Sequence, residues 1–228
     1  MTETAYNGLL LVNKPVGISS FDVIRVLRRI TGFRKIGHAG TLDPSAHGLM
    51  LMLFGPACKQ AQMLTKLDKR YRADMTLGLT SSTADREGVL TTIDNTVPTR
   101  DAITDALKQL TGEIVQIPSA YSAIKINGQE AYKRIRAGET VDMPSRTVQI
   151  YENHLVDYTY PVVQFESAVS SGTYIRTLAE DLGKILGTGA YLSALERTVV
   201  GHYKLEDAVG LDNLTPEAVV KALQPIAG

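Results

Sequence analysis

The apolar run Gly8-Leu9-Leu10-Leu11-Val12 is stopped by the turn Asn13-Lys14-Pro15-Val16-Gly17, which predicts a buried strand. Phe21, Ile24, Leu27 and Ile30 then recur at helical spacing, opposite a basic side. Ser19 with Asp22 makes a capping box at the start of that helix, and Gly32 closes it. Tyr71, Ala73, Met75 and Leu77 alternate with polar residues, so Lys69 to Gly78 reads as a half-buried strand with Tyr71 on its apolar face. Thr99 and Gly112 bracket a helix carrying Ile103, Leu107 and Leu110. Asn127-Gly128 is a turn signal, followed by a basic helix that stops at Gly138. Val162 to Val169 predicts another strand, after which Leu178, Leu182 and Ile185 give helical periodicity. Thr215-Pro216 opens a last helix. No repeat or long linker breaks the pattern, which predicts one domain over 1–228 with a projecting strand-turn-helix lobe near 118–147.

The 24 basic residues are balanced by 24 acidic ones, which argues against a generic nucleic-acid binder. The distribution changes that picture. Arg25, Arg28, Arg29, Arg34 and Lys35 cluster, as do Lys66, Lys69, Arg70 and Arg72, and Lys125, Lys133, Arg134 and Arg136. Such clusters can track phosphates while acids elsewhere cancel the sum. The lone Cys58 rules out an internal disulfide and reads as a packing residue. No apolar run is long enough to span a membrane, and Met1-Thr2-Glu3-Thr4-Ala5 lacks signal-peptide features, so a cytoplasmic protein is expected. The four histidines show no metal-ligand spacing, and no metal is expected.

The densest chemistry lies in Gly37-His38-Ala39-Gly40-Thr41-Leu42-Asp43-Pro44-Ser45-Ala46-His47-Gly48-Leu49. Proline removes a donor and extends the residue before it, so Asp43 belongs on a loop. The surrounding glycines suit the close approach of a bulky ligand. Arg176 follows Gly172-Thr173-Tyr174-Ile175 at a strand-to-helix junction. A cation there opposes the helix dipole, which calls for a carboxylate partner, and the planar fork suits a bidentate pair.

Asn13-Lys14-Pro15 with Gly17, Ser19 and Ser20, then Gly40-Thr41-Leu42-Asp43-Pro44, Lys69 with Tyr71, Lys125-Ile126-Asn127-Gly128-Gln129 and Gly172-Thr173-Tyr174-Ile175-Arg176 follow in order. Together with Leu192 to Thr198 they resemble the TruB family of tRNA pseudouridine synthases over most of the chain. The resemblance implies an α/β (α+β) pseudouridine synthase fold, with a mixed, largely antiparallel sheet flanked by helices and a catalytic cleft across it. It implies a uridine of the tRNA T-loop, position 55, as substrate, with the T-arm stem-loop as partner. The base is flipped out, cut at its N-glycosidic bond and rejoined through carbon, without a cofactor. Asp43 is then the catalytic residue, attacking ribose or base or stabilising charge. Tyr71 stacks on the uracil and Arg176 holds Asp43 ionised and oriented. His38 sits near the flipped base, Leu195 is an apolar wall, and Asp85 touches the RNA or the pocket rim. Lys14 joins the substrate-binding set while packing beside the catalytic loop.

Three features depart from the family pattern. Cys58 replaces a usual threonine, Ser170 stands where another small residue is common, and Lys133-Arg134-Ile135-Arg136 follows the family helix only loosely. Members commonly continue into a PUA-like RNA-binding domain, which is expected to be absent or truncated here. A monomer is expected. A non-catalytic tRNA-binding or folding module is the alternative, against which the Asp43, Tyr71 and Arg176 set speaks. A glycosidase reading needs a second placed carboxylate, and no paired acid motif is present.

Overall fold

The computed structural model describes residues 6–94, 96–119, 121–122, 124–126 and 128–226. The chain divides into two compact units. The first is made from both ends, Met1–Arg72 and Leu195–Gly228, and the second from the stretch Ala73–Ala194 between them.

The first unit opens with β1 (Gly8–Lys14), α1 (Ser20–Thr31), β2 (Ile36–Ala39), β3 (His47–Phe54), a 3₁₀ turn, α2 (Ala61–Thr65) and the start of β4 (Lys69–Leu77). β3 carries the unit. Its Gly-Leu-Met-Leu-Met-Leu-Phe run is buried at every position, as expected of a strand covered on both faces. β1 runs antiparallel along one edge of β3 from Gly8↔Phe54 to Lys14↔Gly48, and β2 runs antiparallel along the other from Ile36↔Phe54 to Ala39↔Leu51. Leu9, Leu11, Leu49, Leu51 and Leu53 pack with Leu64, Val200 and Tyr203 into a core.

α1 starts and stops as the sequence predicts. Ser19 caps Asp22, the Asp22 carboxylate returns to the Ser19 N–H, and Gly32 ends the helix in the left-handed region. Its buried residues are Ser20, Val23, Ile24 and Leu27, so the expected stripe is shifted. Phe21 is exposed because it lies about 100° around the helix from Ser20, and it carries the Arg25 guanidinium over its ring at 4.8 Å.

The second unit holds the rest of β4, β5 (Leu79–Ser81), β6 (Leu90–Thr92), α3 (Arg100–Gln109), β7 (Gly112–Gln116), β8 (Lys125–Ile126), β9 (Gln129–Glu130), α4 (Ala131–Arg136), β10 (Arg146–Thr159), β11 (Val162–Val169), α5 (Ile175–Leu186) and the start of β12 (Ala190–Val200). β10 pairs antiparallel with both β11 and β7. Tyr71, Ala73, Met75 and Leu77 of β4 are buried and their neighbours are not, which is the predicted alternation. Gly112 opens β7 rather than ending α3, which stops at Leu110. Ile185, expected on the apolar side of α5, is exposed, whereas Leu178 and Leu182 are buried. Asn127 lies outside the described residues; Gly128 beside it has a positive φ of 85°, as a tight turn requires.

The chain returns to the first unit through the end of β12, then β13 (Tyr203–Lys204) and α6 (Pro216–Ala222), the latter capped by Thr215. β12 meets β3 in a short parallel contact, Glu196↔His47 and Arg197↔Gly48, and turns back antiparallel into β13. The sheet is thus mixed and largely antiparallel, with helices packed on it.

One buried side chain ties α1 to the loop between β2 and β3. The Ser20 hydroxyl donates to the Leu42 carbonyl at 3.0 Å and accepts from the Leu42 N–H at 2.9 Å. Ser20→Ala leaves both buried Leu42 groups without a partner, and stability falls by about 1–3 kcal/mol in urea denaturation. A loss below about 0.5 kcal/mol would mean that the hydroxyl holds nothing.

Candidate active site

Asp43 lies on the loop 40–46 between β2 and β3, as Pro44 requires, and is half-buried. The loop is fastened on several sides. The Gly17 N–H donates to the Pro44 carbonyl at 2.8 Å, and the Ala46 N–H to the Asp43 carbonyl at 3.1 Å. Ser20 grips Leu42 from α1. Arg197, 1% exposed, donates from Nε to the Leu49 carbonyl at 2.8 Å, from Nη1 to Thr41 at 3.3 Å and from Nη2 to Gly40 at 3.2 Å.

One of the glycines around Asp43 serves the protein's own backbone. Gly48, at φ 104°, lies so close to β12 that a Cβ there would meet the Arg197 carbonyl oxygen at 2.5 Å and its nitrogen at 2.8 Å. At Gly48 the close approach is that of strand β12, and at this position only glycine fits.

Lys14 is fully buried. Its ammonium donates to the Pro15 carbonyl at 2.9 Å and the Ile18 carbonyl at 2.8 Å, so it braces the turn ahead of α1 rather than presenting itself at a surface. Burial pushes its pKa down to about 8, with the negative charge of Asp43 opposing the shift and the charge of Arg197 adding to it. Lys69 behaves alike, donating to the Thr65 carbonyl at 2.6 Å and the Leu67 carbonyl at 2.5 Å; burial and then Arg197 push it down to about 8, against Asp68. His38, on β2, is held below the ordinary histidine range by burial first and the Arg197 charge second, and its Nδ1 is buried without a hydrogen-bond partner. Tyr71 is 9% exposed on β4, and Leu195 is half-buried on β12.

In the second unit Arg176 occupies the first turn of α5, 5% exposed, and finds the carboxylate that its position demands. That carboxylate is Asp85. Nη1 donates to Asp85 Oδ2 at 3.1 Å and to the Thr83 carbonyl at 3.3 Å, while Nη2 donates to the Tyr121 carbonyl at 3.3 Å. The Asp85 pair uses one Arg176 nitrogen. The other Asp85 oxygen accepts from Thr83 Oγ1 at 2.6 Å and from the Glu87 N–H at 3.0 Å. With Asp85 only 4% exposed, it is an interior anchor of Arg176 rather than a residue turned toward RNA. Ala84 takes a left-handed φ of 63° and its carbonyl accepts from Leu192 N–H at 3.0 Å, which fixes the turn that presents Asp85.

Gln116 carries no signal in the sequence. Buried on β7, it donates to the Tyr174 carbonyl at 3.2 Å and accepts from the Tyr174 N–H at 3.0 Å, replacing the side-chain cap that α5 lacks. Arg197 is equally silent, because nothing in its spacing separates a buried arginine from an exposed one.

The three basic clusters differ in their neutralisation. Lys133 pairs with Glu130 at 3.0 Å and Arg134 with Glu139 at 2.7 Å. Lys69 is buried and bonded to carbonyls. On α1 and the turn after it, Arg25 pairs with Asp22, whereas Arg28, Arg29, Arg34 and Lys35 are exposed and have no acidic partner among the described residues. Phe33 stacks with Tyr6 at 5.2 Å and with Phe54 at 6.2 Å, holding that turn in place. No group of three metal-ligating side chains occurs among the described residues.

Residues 28–175 match the family model described as TruB family pseudouridylate synthase (N terminal domain), and residues 176–224 match that of the tRNA pseudouridylate synthase B C-terminal domain. Among curated proteins, the chain is 47% identical to tRNA pseudouridine synthase B of Burkholderia pseudomallei (strain 668), covering 94% of this chain and 71% of that protein. It is 44% identical to the protein of that name in Cupriavidus metallidurans, covering 93% and 68%. Among solved structures it resembles a chain of a Cbf5-Nop10-Gar1 complex with a TM-score of 0.76 at 28% identity, covering 99% of this chain and 62% of that one. A chain of an H/ACA RNP bound to a substrate RNA containing 2′-deoxyuridine gives 0.72, also at 28% identity, covering 96% and 59%.

The lowered lysine pKa values carry a sign. The folded chain releases the Lys14 and Lys69 protons near pH 8 and the unfolded chain near 10.5, so between these values the unfolded state binds more protons and each site's contribution to stability rises with pH. Lys69→Met removes one buried cation. Its stability relative to the parent is therefore most favourable below pH 8 and declines as pH climbs toward 10. Urea unfolding of both proteins across that range checks this, and a difference that does not change with pH contradicts it.

Proposed function

The chain belongs to the TruB family of pseudouridylate synthases, and from that premise we propose that it converts uridine to pseudouridine in the T-loop of tRNA, at position 55, with Asp43 as the catalytic residue. The observation that carries the assignment to Asp43 is its setting: a half-buried carboxylate on a loop fastened at Gly40, Thr41, Leu42, Pro44 and Ala46. Such preorganisation suits a group that must meet one carbon atom.

A stacked uridine is out of reach of any side chain, so the base leaves the stack first. Asp43 acts on the ribose or the base as the N1–C1′ bond breaks. The freed uracil turns, C5 bonds to C1′, and the proton lost from C5 is matched by one gained at N1. Substrate and product have the same atoms, and no cofactor is required. Tyr71 offers a ring for stacking on the uracil. His38, kept neutral by burial and by Arg197, stands near the base without adding charge, and Leu195 supplies an apolar wall. In the second unit Arg176 is held by Asp85.

Grip on the T-arm falls to the uncompensated cations. α1 begins at Ser20, which is bonded to the catalytic loop, and Arg28 and Arg29 follow about 12 Å along its axis. The helix thus spaces a phosphate-binding end from the catalytic carboxylate. A monomer acting on free tRNA in the cytoplasm is the simplest setting for this reading.

Incubation with an unmodified tRNA transcript, followed by chemical detection of pseudouridine, tests the assignment. Asp43→Asn keeps fold and tRNA affinity but turnover disappears; activity within tenfold of the parent would favour a binding module instead.

Reversing charge on the helix tests the grip. Arg28→Glu with Arg29→Glu leaves kcat close to the parent's, raises KM, and flattens the slope of log affinity against log salt by about 0.7–0.9 for each phosphate that the variant no longer neutralises. An unchanged slope would mean that other cations hold the phosphates.

A further inference from the structure

The Arg197 guanidinium is buried, carries a full charge and pairs with no acid among the described residues. A buried cation in that condition is costly unless its donors are used. Its partners are three backbone carbonyls, and their positions along the chain are informative. Gly40 and Thr41 open the loop that bears Asp43, and Leu49 lies just beyond its close. The backbone of Arg197 is fixed to the same segment, by the register Arg197↔Gly48 and by the absence of any side chain at Gly48.

We propose that Arg197 is the positioning residue for Asp43. Its planar fork clasps the two ends of the catalytic loop and so sets where the carboxylate stands. The inference rests on the reading of Asp43 given above. Arginine suits the task because five donors in one rigid plane can meet carbonyls from two separate chain segments, while a lysine ammonium has three donors at a single point. The same charge lies within electrostatic reach of Lys14, Lys69 and His38, so Arg197 is also the hub of a cationic interior in which Asp43 is a counter-charge for Lys14.

The test uses the full chain with Arg197→Lys and Arg197→Met, and with Val219→Ala on α6 as a control that opens a cavity in the same unit. Three quantities are read: the single-turnover rate on a tRNA transcript, the affinity for that transcript, and hydrogen exchange of the amides in 40–49. Arg197→Met slows turnover by about a hundredfold, the scale expected of a misplaced reactive group. Affinity stays within about threefold. Loop amides exchange faster. Arg197→Lys, which keeps the charge, loses most of the rate as well, because geometry is what has gone. If the methionine variant does not fold, the lysine variant decides alone. Val219→Ala loses stability but keeps the parent's rate and loop exchange. A folded Arg197 variant with the parent's rate or unchanged loop exchange overturns the proposal, as does an equal rate loss in Val219→Ala. A parent chain without turnover would sink the reading of Asp43, and the exchange comparison would still decide the clasp.

Discussion

Burial of positive charge whose hydrogen bonds go to backbone carbonyls is the constraint around which the first unit is organised. Lys14, Lys69 and Arg197 are each in the interior, and each is satisfied by backbone carbonyls of a nearby turn or loop. Turns are where carbonyls lack partners from a helix or a strand ladder, so a buried cation and an irregular segment solve each other's problem. Lys14 braces the turn after β1, Lys69 the end of α2, and Arg197 the loop that bears Asp43. The lowered pKa values of the two lysines are the trace of that arrangement, since carbonyl dipoles replace only part of the lost hydration.

The second unit handles charge in the ordinary way. Arg176 lies at a helix N-terminus, where the dipole opposes it, and Asp85 compensates at 3.1 Å. Asp85 in turn is saturated by Thr83 and the Glu87 amide, leaving little freedom to either side chain. A buried pair held from both ends favours a fixed geometry more than it favours stability.

Much of this is legible in the chain. The capping box of α1, the alternation in β4, the Pro216 start of α6 and the loop position of Asp43 all follow from local rules, and local rules decide them. The failures are tertiary. Phe21 and Ile185 have the right period for a buried stripe but fall at its margin, where neighbouring elements determine exposure. The need for a carboxylate near Arg176 is readable from the helix dipole, yet its supplier, 91 positions earlier in sequence, is not. Gly48 is the clearest case. Its freedom looks like room for a ligand, and it is room for the backbone of β12. One sequence cannot distinguish these, because glycine records that something comes close and not what.

The first unit is assembled from the two ends of the chain, and that arrangement sets an order of events during synthesis. Leu49 and Arg197 are separated by 148 positions, so the loop that bears Asp43 cannot acquire its guanidinium until β12 has left the ribosome. The intervening unit is contiguous and can fold first, bringing the two halves of its host closer and lowering the entropy of closing so long a loop. A nascent chain carries Asp43 early but without its clasp. Synthesis of β12 is then what supplies it.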